Sequence, residues 1–142
     1  MKTAFGIEIP TSPYYLLQEI YIKDPWKMMV CCMMLNQTSR RQVDVIRDEF
    51  FERWPDPETM VDADESELAV LLHCLGFYNK RAKSLIRMSE DWQNKDWRRP
   101  IELHGIGKYA QDSWNIFVEG LLPDKVEDHV LTTYVEWRKQ HN

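Results

Sequence analysis

The stretch Leu103-His104-Gly105-Ile106-Gly107-Lys108-Tyr109-Ala110 decides the fold. Two glycines flank one aliphatic residue, with a short helical pattern before them and a longer one after them. Glycine allows a tight turn with positive φ, and the free amides that begin the following helix can bind a phosphate oxygen. Ile106 is expected to anchor the turn in the core. The spacing predicts a glycine hairpin between two helices over about residues 100–119, although an ordinary tight turn between helices has the same pattern.

The rest of the chain shows helical patterns in succession. Pro13 predicts the start of a first helix over residues 14–24, capped by Thr11 or Ser12, because proline suits the first turn. Residues 25–36 are apolar on nearly every side, which predicts the buried central helix. Further helices are predicted for residues 40–54 after the cap Ser39, 64–75 before Gly76, 79–94, and 129–140 after Asp128. The sequence lacks sustained alternation and Asn-Gly or Asp-Gly turns, so the predicted class is all-α.

Length and composition indicate one soluble domain over residues 1–142. The chain is 44% hydrophobic and 29% charged, which suffices for one substantial core. The opening MKTAFGIEIP lacks the long apolar run of a signal peptide, and no segment has the roughly 18 consecutive apolar residues of a membrane span. We therefore expect an intracellular monomer without membrane association. The three cysteines cannot all pair, and Cys31 and Cys32 lie in an apolar run, so we expect reduced thiols.

The charge distribution limits the expected partners. The net charge is −5. This value argues against a strong, indiscriminate nucleic-acid binder, because Lys and Arg contacts to phosphates supply most non-specific affinity for DNA. The basic residues, however, gather in a few clusters, while acidic residues crowd segments such as DPETMVDADESE. A basic face on an acidic protein is therefore one interpretation, and a helical protein-interaction domain that does not bind DNA is another.

Four segments together resemble one known family. LHGIGKYA resembles the L-P-G-V-G hairpin of the helix-hairpin-helix DNA glycosylases, and VEDH falls where that superfamily places its catalytic aspartate. The strongest likeness is to the mismatch-specific thymine/uracil glycosylase domain of methyl-CpG-binding proteins. Four blocks match it in order, from about Tyr14 to Trp137: DPWKMMVCCMMLNQTS, LGFYNKRAKSLI, PIELHGIGKYAQDSW and VEDHVLTTYVEW. The resemblance implies a compact helical bundle in two lobes with a DNA-binding groove.

The resemblance assigns the chemistry to two residues. Asp128 matches the catalytic aspartate, and a fixed carboxylate suits the reaction because it stabilises positive charge on the sugar and orients the attacking water. Tyr109 matches the position of the lysine nucleophile in bifunctional members. Because tyrosine cannot form a Schiff base, the resemblance implies a monofunctional enzyme without efficient lyase activity, with this ring near the extruded base. Taken alone, Asp128 is also explained as a helix N-cap, and Tyr109 as a half-buried packing residue.

Other residues match positions that contact DNA or the extruded base. Gln37 matches the residue that fills the space left in the duplex, and Phe77 matches the wedge between bases of the opposite strand. Leu17 and Gln18 match pocket-lining positions, where an amide can contact the polar edge of a pyrimidine. Without the resemblance, Gln37 is an ordinary polar helix end and Phe77 a cap packed against its own helix. The hairpin residues expected at the DNA backbone are Gly105, Ile106, Gly107 and Lys108.

The sequence departs from the family at two positions that affect the substrate. The family's arginine at the space-filling position is Gln37 here, and its basic residue two places after the catalytic aspartate is Val130. Substrate identity is therefore open. One hypothesis is removal of uracil, of thymine opposite guanine, or of a 5-modified uracil in base excision repair. The alternatives are an enzyme of the same fold that processes hypermodified thymine in viral DNA, and a non-catalytic DNA-binding module.

The expected cofactors and partners follow from the same reasoning. No cysteine follows Cys74, so the chain cannot bind an iron–sulfur cluster through four C-terminal cysteines. The histidines show no close metal-ligand spacing, so we expect no catalytic metal. Glycosidic hydrolysis needs only water, so we expect no organic cofactor, and the resemblance adds a hairpin-bound Na+ or K+. The expected partner is double-stranded DNA.

Overall fold

Polar caps and buried faces define the helices of this chain. A computed structural model describes residues 1–141, which contain eight α-helices. They are α1 (Leu17–Ile20), α2 (Pro25–Met34), α3 (Arg40–Arg53), α4 (Pro57–Val61), α5 (Glu65–Leu71), α6 (Tyr78–Asn94), α7 (Lys108–Phe117) and α8 (His129–Gln140). Short 3-10 turns occur at His73–Leu75 and Pro100–Glu102. Within residues 1–141, β pairing is limited to one isolated bridge between Lys2 and Glu8, and the all-α prediction is confirmed.

Side-chain caps close the starts of α3 and α8. Ser39 Oγ accepts from the backbone N–H of Gln42 at 3.2 Å, and Ser39 N donates to Gln42 Oε1 at 2.8 Å, so the start of α3 is closed reciprocally. Asp128 Oδ2 accepts from the backbone N–H of Leu131 at the start of α8. Both caps agree with the sequence prediction. Each such cap stabilises its helix by about 1 kcal/mol.

Helix α2 is the centre of the molecule, as the sequence predicts. Seven of its ten residues are buried: Trp26, Met28, Met29, Val30, Cys31, Cys32 and Met34. The helix packs against α1, α3, α6 and α7. Trp26 Nε1 donates to Ser89 Oγ of α6 at 3.0 Å, which satisfies the polar atom of a buried ring.

Helices α3 to α6 form one group and helices α1 and α7 form another, and both groups contact α2. Helices α4 and α5 pack on α6, and α3 contacts the 3-10 turn that precedes α6. Helices α1 and α7 pack on α2 and on each other. This arrangement agrees with the expected bundle in two lobes. It also brings the hairpin before α7 close to the start of α6, where the groove described below is formed.

The first helix differs from its prediction. It spans only Leu17–Ile20, whereas the sequence predicts residues 14–24. Tyr15 has a left-handed φ of 52°, which interrupts helical geometry. The buried carboxylate of Glu19 accepts from Ser12 N at 2.9 Å, from Ser12 Oγ at 2.7 Å and from Leu16 N at 3.0 Å. Ser12 therefore binds this carboxylate instead of capping a helix at Pro13, so the prediction is wrong.

Two smaller differences concern residues 55–77. Pro57 begins α4, with Asp56 Oδ1 accepting from Thr59 N at 2.8 Å, whereas the sequence analysis predicts no helix between residues 54 and 64. The helix predicted over residues 64–75 divides into α5 and a 3-10 turn. The turn ends before Gly76, as predicted, but Gly76 has a φ of 73° and a ψ of 166°, which is not the left-handed helical conformation expected of a C-cap glycine.

The glycine hairpin has the predicted form. The 3-10 turn at Pro100–Glu102 leads into it, and α7 follows. Gly105 has a φ of 78°, in a region that side chains other than glycine rarely adopt. Ile106 is only 7% exposed and belongs to the core, as predicted. Its backbone N–H donates to Leu103 O at 3.3 Å. Ile106 thus anchors the hairpin and presents no side chain to the surface.

The cysteines and the apolar helices add two observations. Cys31 and Cys32 are buried and Cys74 is exposed, and all three are free thiols. Burial raises the pKa of the Cys32 thiol to about 12. Within residues 1–141, no helix combines the length and the apolar character that crossing a membrane requires.

Candidate functional site

A groove of about 500 Å³ lies along the hairpin. Its walls are the end of α2 with the loop that follows, the start of α6, and the hairpin with the first turn of α7. The charged side chains among its described lining residues are Lys80, Arg81 and Lys108, and none of these lining residues is acidic. A chain with a net charge of −5 therefore has a groove of positive potential, which suits a polyanion.

Gln37 and Phe77 line this groove from opposite loops. Gln37 follows α2 and is exposed, and Phe77 precedes α6 and is 67% exposed. Three non-glycine residues among the described ones have positive φ, and two of them are Gln37, at 60°, and Phe77, at 47°. With 67% of its surface exposed, Phe77 is not buried against its own helix. Both side chains thus border the groove, and their entry into a duplex stays a prediction from the resemblance.

The start of α7 faces the same groove. Gly107 is the N-cap of α7, and glycine has no side chain that could accept a hydrogen bond. No side chain therefore caps the first backbone N–H groups of this helix. A Cβ at Gly107 would meet no atom within 4 Å, so a ligand has space there. Lys108 Nζ lies 2.7 Å from Asp112 Oδ2, one turn further along. The helix terminus and this lysine form a site suited to a phosphate.

A second cavity, of about 310 Å³, adjoins the groove. It is lined by Leu17, Gln18, Tyr109 and Asp128, the four residues that the resemblance assigns to the base pocket and to catalysis. Tyr109 lines both the groove and this pocket. The remaining lining residues are Leu16, Leu35, Thr38, Ser39, Arg40 and Val130. Residues that lie far apart in the sequence are thus brought to one place.

One carboxylate oxygen of Asp128 caps helix α8, and this hydrogen bond fixes the orientation of the other oxygen. Its Oδ2 accepts from Leu131 N at 2.9 Å. Within residues 1–141, Oδ1 takes part in no hydrogen bond. The side chain is partly exposed at the pocket, and the positive end of α8 favours its negative charge. Capping and facing the pocket are therefore compatible roles.

Tyr109 is held by a hydrogen-bond network across the pocket floor. Gln18 Nε2 donates to the Tyr109 hydroxyl at 2.8 Å and to Ser113 Oγ at 3.1 Å. The Ser113 hydroxyl donates to the Tyr109 carbonyl at 3.0 Å. Burial raises the pKa of Tyr109 well above its ordinary value, and Cys32 and Asp128 raise it further. The phenol therefore stays neutral and keeps a proton that it can donate to a ligand.

Two arginines of the site have contacts that sequence reasoning missed. Arg40 lines the pocket, and its Nη1 donates to Tyr15 O at 2.8 Å. Its Nε also donates to Asp44 at 2.8 Å. Arg81 lines the groove and donates to backbone carbonyls of two loops. In the sequence they are only members of basic clusters, because no local pattern shows which carbonyls a distant fold brings to a guanidinium.

The site offers no set of metal ligands in the part of the chain that the structure describes. Residues 1–141 contain no group of three or more His, Cys, Asp or Glu side chains suited to holding a metal ion. The hairpin-bound Na+ or K+ stays a prediction from the resemblance.

The helical bundle and its hairpin define the helix-hairpin-helix DNA glycosylase fold. A family model described as "HhH-GPD superfamily base excision DNA repair protein" matches residues 30–133. The chain belongs to this superfamily. The likeness to solved structures is consistent with the fold. A thermostable thymine-DNA glycosylase aligns with a TM-score of 0.67 and 24% identity, covering 73% of this chain and 51% of that one. A trapped endonuclease III–DNA intermediate aligns at 0.66 and 17%, covering 82% and 62%.

Curated relatives refine the position within the superfamily. The methyl-CpG-binding domain protein 4-like protein of Arabidopsis thaliana is 38% identical over 130 residues, or 90% of this chain and 29% of the relative. Thymine-DNA glycosylase of Aeropyrum pernix is 34% identical, covering 61% and 42%. Thymine/uracil-DNA glycosylase of Pyrobaculum aerophilum is 32% identical, covering 61% and 41%. The chain thus spans less than half the length of these relatives. They match the family that the sequence resembles.

Proposed function

We propose that this chain is a monofunctional DNA glycosylase that removes an extruded pyrimidine from double-stranded DNA in base excision repair. The position of Tyr109 carries the proposal, because this residue lines both the basic groove and the pocket that contains Asp128. A duplex bound along the groove would have its phosphates near the start of α7. A nucleotide turned out of that duplex would then reach the carboxylate.

In this mechanism Asp128 acts on the sugar of the extruded nucleotide. The bond between C1′ and the base nitrogen breaks, and its electron pair leaves with the base. The carboxylate stabilises the oxocarbenium character at C1′ and orients a water, which adds to C1′ and loses its proton to the carboxylate or solvent. The products are the free base, which takes up a proton, and an abasic sugar. Because Tyr109 offers no amine, no imine forms and the strand stays intact.

The pocket favours a pyrimidine through three side chains. Leu17 supplies an apolar wall, and the Tyr109 ring offers a stacking surface. Gln18 is 2% exposed, and its amide nitrogen is held by Tyr109 and Ser113. This leaves the Gln18 amide oxygen to accept from the N3–H of uracil or thymine. Two relatives are named as thymine-DNA and thymine/uracil-DNA glycosylases, and these names support uracil or thymine as the base removed. We further propose thymine opposite guanine and 5-modified uracils as substrates, on the resemblance alone.

Hypermodified thymine is the second candidate substrate. Val130 lines the pocket and is 49% exposed. An exposed apolar residue beside the reacting sugar leaves room for a larger group at C5 and places no charge there. Comparing the release of thymine with that of a thymine bearing a bulky 5-substituent separates the two substrates.

The test uses duplexes that contain uracil, thymine opposite guanine, or 5-substituted uracils. Alkali after incubation should cut the strand at each abasic site. Asp128→Asn should lower the single-turnover rate by about 10³-fold, because asparagine still caps α8 but carries no charge. Its affinity for the duplex should stay near that of the wild type.

A matched control is Asp124→Asn, in the same loop. Asp124 is exposed and does not line the pocket, so this variant should excise normally. If the wild type binds duplex DNA but releases no base from any of them, the non-catalytic module is the better explanation. Full activity of Asp128→Asn would contradict the assigned mechanism.

A further inference from the structure

Arg81, in the first turn of α6, connects the two loops that carry Gln37 and Phe77. Its Nη2 donates to Asn36 O at 2.8 Å, and its Nε donates to Gly76 O at 2.8 Å. These carbonyls belong to the peptide units that lead directly into Gln37 and Phe77. One guanidinium thus holds the backbone immediately before each of the two exposed side chains.

Arg81 also contacts the helical turns that precede these two loops. Its Nη1 donates to Met33 O at 3.3 Å, and its Nη2 donates to Leu75 O at 3.4 Å. Four of the five N–H donors of a guanidinium are therefore committed to backbone carbonyls. Partial burial lowers the pKa of Arg81, but an arginine so placed remains charged. This leaves little capacity for a phosphate, although the side chain lines the groove.

The held residues have an unusual backbone conformation. Gln37 has a φ of 60° and Phe77 a φ of 47°, both in the left-handed region, which is unfavourable for side chains other than glycine. Such conformations persist only where the surroundings fix them. At both positions the hydrogen bonds from Arg81 supply part of that constraint.

We propose that Arg81 is a positioning residue that sets the separation and orientation of Gln37 and Phe77, so that both enter an opened duplex together. The proposal rests on the proposed function for the identity of the ligand. Because the loops are ordered before DNA binds, less conformational entropy is lost on binding. Arg81 thus favours a duplex with an empty position over an intact one.

The test measures binding without catalysis. The probes are a duplex with a tetrahydrofuran abasic-site analogue and the same duplex intact, and the readout is fluorescence anisotropy. Arg81→Ala should lower the preference of the protein for the abasic duplex by about tenfold. In a Gln37→Ala/Phe77→Ala background the same change should add little, since a residue that acts through two others is not additive with them. Arg81→Lys should resemble Arg81→Ala, because an ammonium lacks the planar fork.

Lys80→Ala is the matched control. Lys80 is exposed, lies next to Arg81 and lines the same groove. Its loss should weaken binding to both duplexes equally and leave the preference unchanged. Circular dichroism and thermal melting establish that each variant folds; if Arg81→Ala does not, Arg81→Lys and Arg81→Gln take its place.

Three results would overturn the proposal. The first is an equal effect of Arg81→Ala in both backgrounds, and the second is an equal loss on both duplexes. The third is a wild type without preference for the abasic duplex. Absence of base release alone would contradict the proposed function and leave these binding results to decide the role of Arg81.

Discussion

Tyr109 determines which chemistry the site can perform. It lies where the groove meets the pocket, and its hydroxyl accepts from Gln18 at 2.8 Å. Burial raises the pKa of this phenol, so it remains a neutral donor at any working pH. A neutral phenol can stack on a base and hydrogen-bond to it, but it has no amine with which to form an imine at C1′ of the sugar.

Replacing Tyr109 with lysine should therefore add lyase activity. An amine at this position would lie in the same pocket as Asp128, and partial burial would favour its neutral, nucleophilic form. Attack on C1′ would release the base and form an imine, which sodium borohydride reduces to a stable protein–DNA adduct. We expect this adduct on a denaturing gel for Tyr109→Lys with a uracil duplex.

The wild type is the control, because it already has an exposed lysine at the preceding position, Lys108. Lys108 Nζ is paired with Asp112 and lies outside the pocket. An adduct of equal yield in the wild type, or none in the variant, would contradict the placement of residue 109 at the sugar.

At the scale of the hairpin, the two glycines serve different purposes. Gly105 has a φ of 78°, and an added Cβ would lie 2.8 Å from Met33 Cε. Since the methionine end can move, the backbone conformation is the main cost. Gly105→Ala should lower the free energy of unfolding by about 1–3 kcal/mol, measured by urea denaturation.

Gly107→Ala provides the comparison within the same hairpin. Gly107 has a φ of −104°, and an added Cβ meets no atom within 4 Å, so stability should be nearly unchanged. The new methyl group would stand where a phosphate approaches α7, and affinity for duplex DNA should fall. Equal losses of stability in both variants would show that the two positions are not distinguished by φ.

The elements also show what the sequence can predict. Helices α2 and α3 follow their predictions because local signals agree with burial: an all-apolar face in one, and the Ser39 cap in the other. Helix α1 does not. Its sequence has helix formers, but Glu19 binds the backbone of Ser12 and Leu16, and that contact appears only in the folded chain.

The candidate site likewise contains features that the sequence predicts and features that it does not. The resemblance locates Leu17, Gln18, Tyr109 and Asp128, and the structure brings them to one pocket. The bonds of Arg81 to the carbonyls of Asn36 and Gly76 could not be predicted, because a carbonyl carries no sequence signal.

At the scale of the whole molecule, several thiols and phenols are wholly or partly buried and stay protonated in the folded chain. Burial raises the pKa of Cys31 well above its ordinary value of 9.0, and that of Cys32 to about 12. It also raises the pKa of Tyr21, Tyr109 and Tyr134 above 10.0. These groups therefore bind protons more tightly in the folded state than in the unfolded chain.

This difference predicts a loss of stability in alkali. Below about pH 8 all these groups are protonated in both states, and stability should not depend on their titration. Above pH 9 the unfolded chain releases thiol and then phenol protons that the folded chain retains. The free energy of unfolding should then fall by about 1.4 kcal/mol per pH unit for each such group. Urea denaturation at several pH values between about 7.5 and 10.5 measures the slope.

Two cysteine variants separate burial from general alkaline damage. Cys32→Ala removes a buried thiol and should make the decline in the free energy of unfolding between about pH 9 and 10.5 shallower by about 1.4 kcal/mol per pH unit. Cys74→Ala removes an exposed thiol, which meets solvent in both states, and should leave the slope unchanged. If both variants decline as steeply as the wild type, the Cys32 thiol ionises as readily in the folded chain as in the unfolded one. That result would contradict the raised pKa that burial gives the Cys32 thiol.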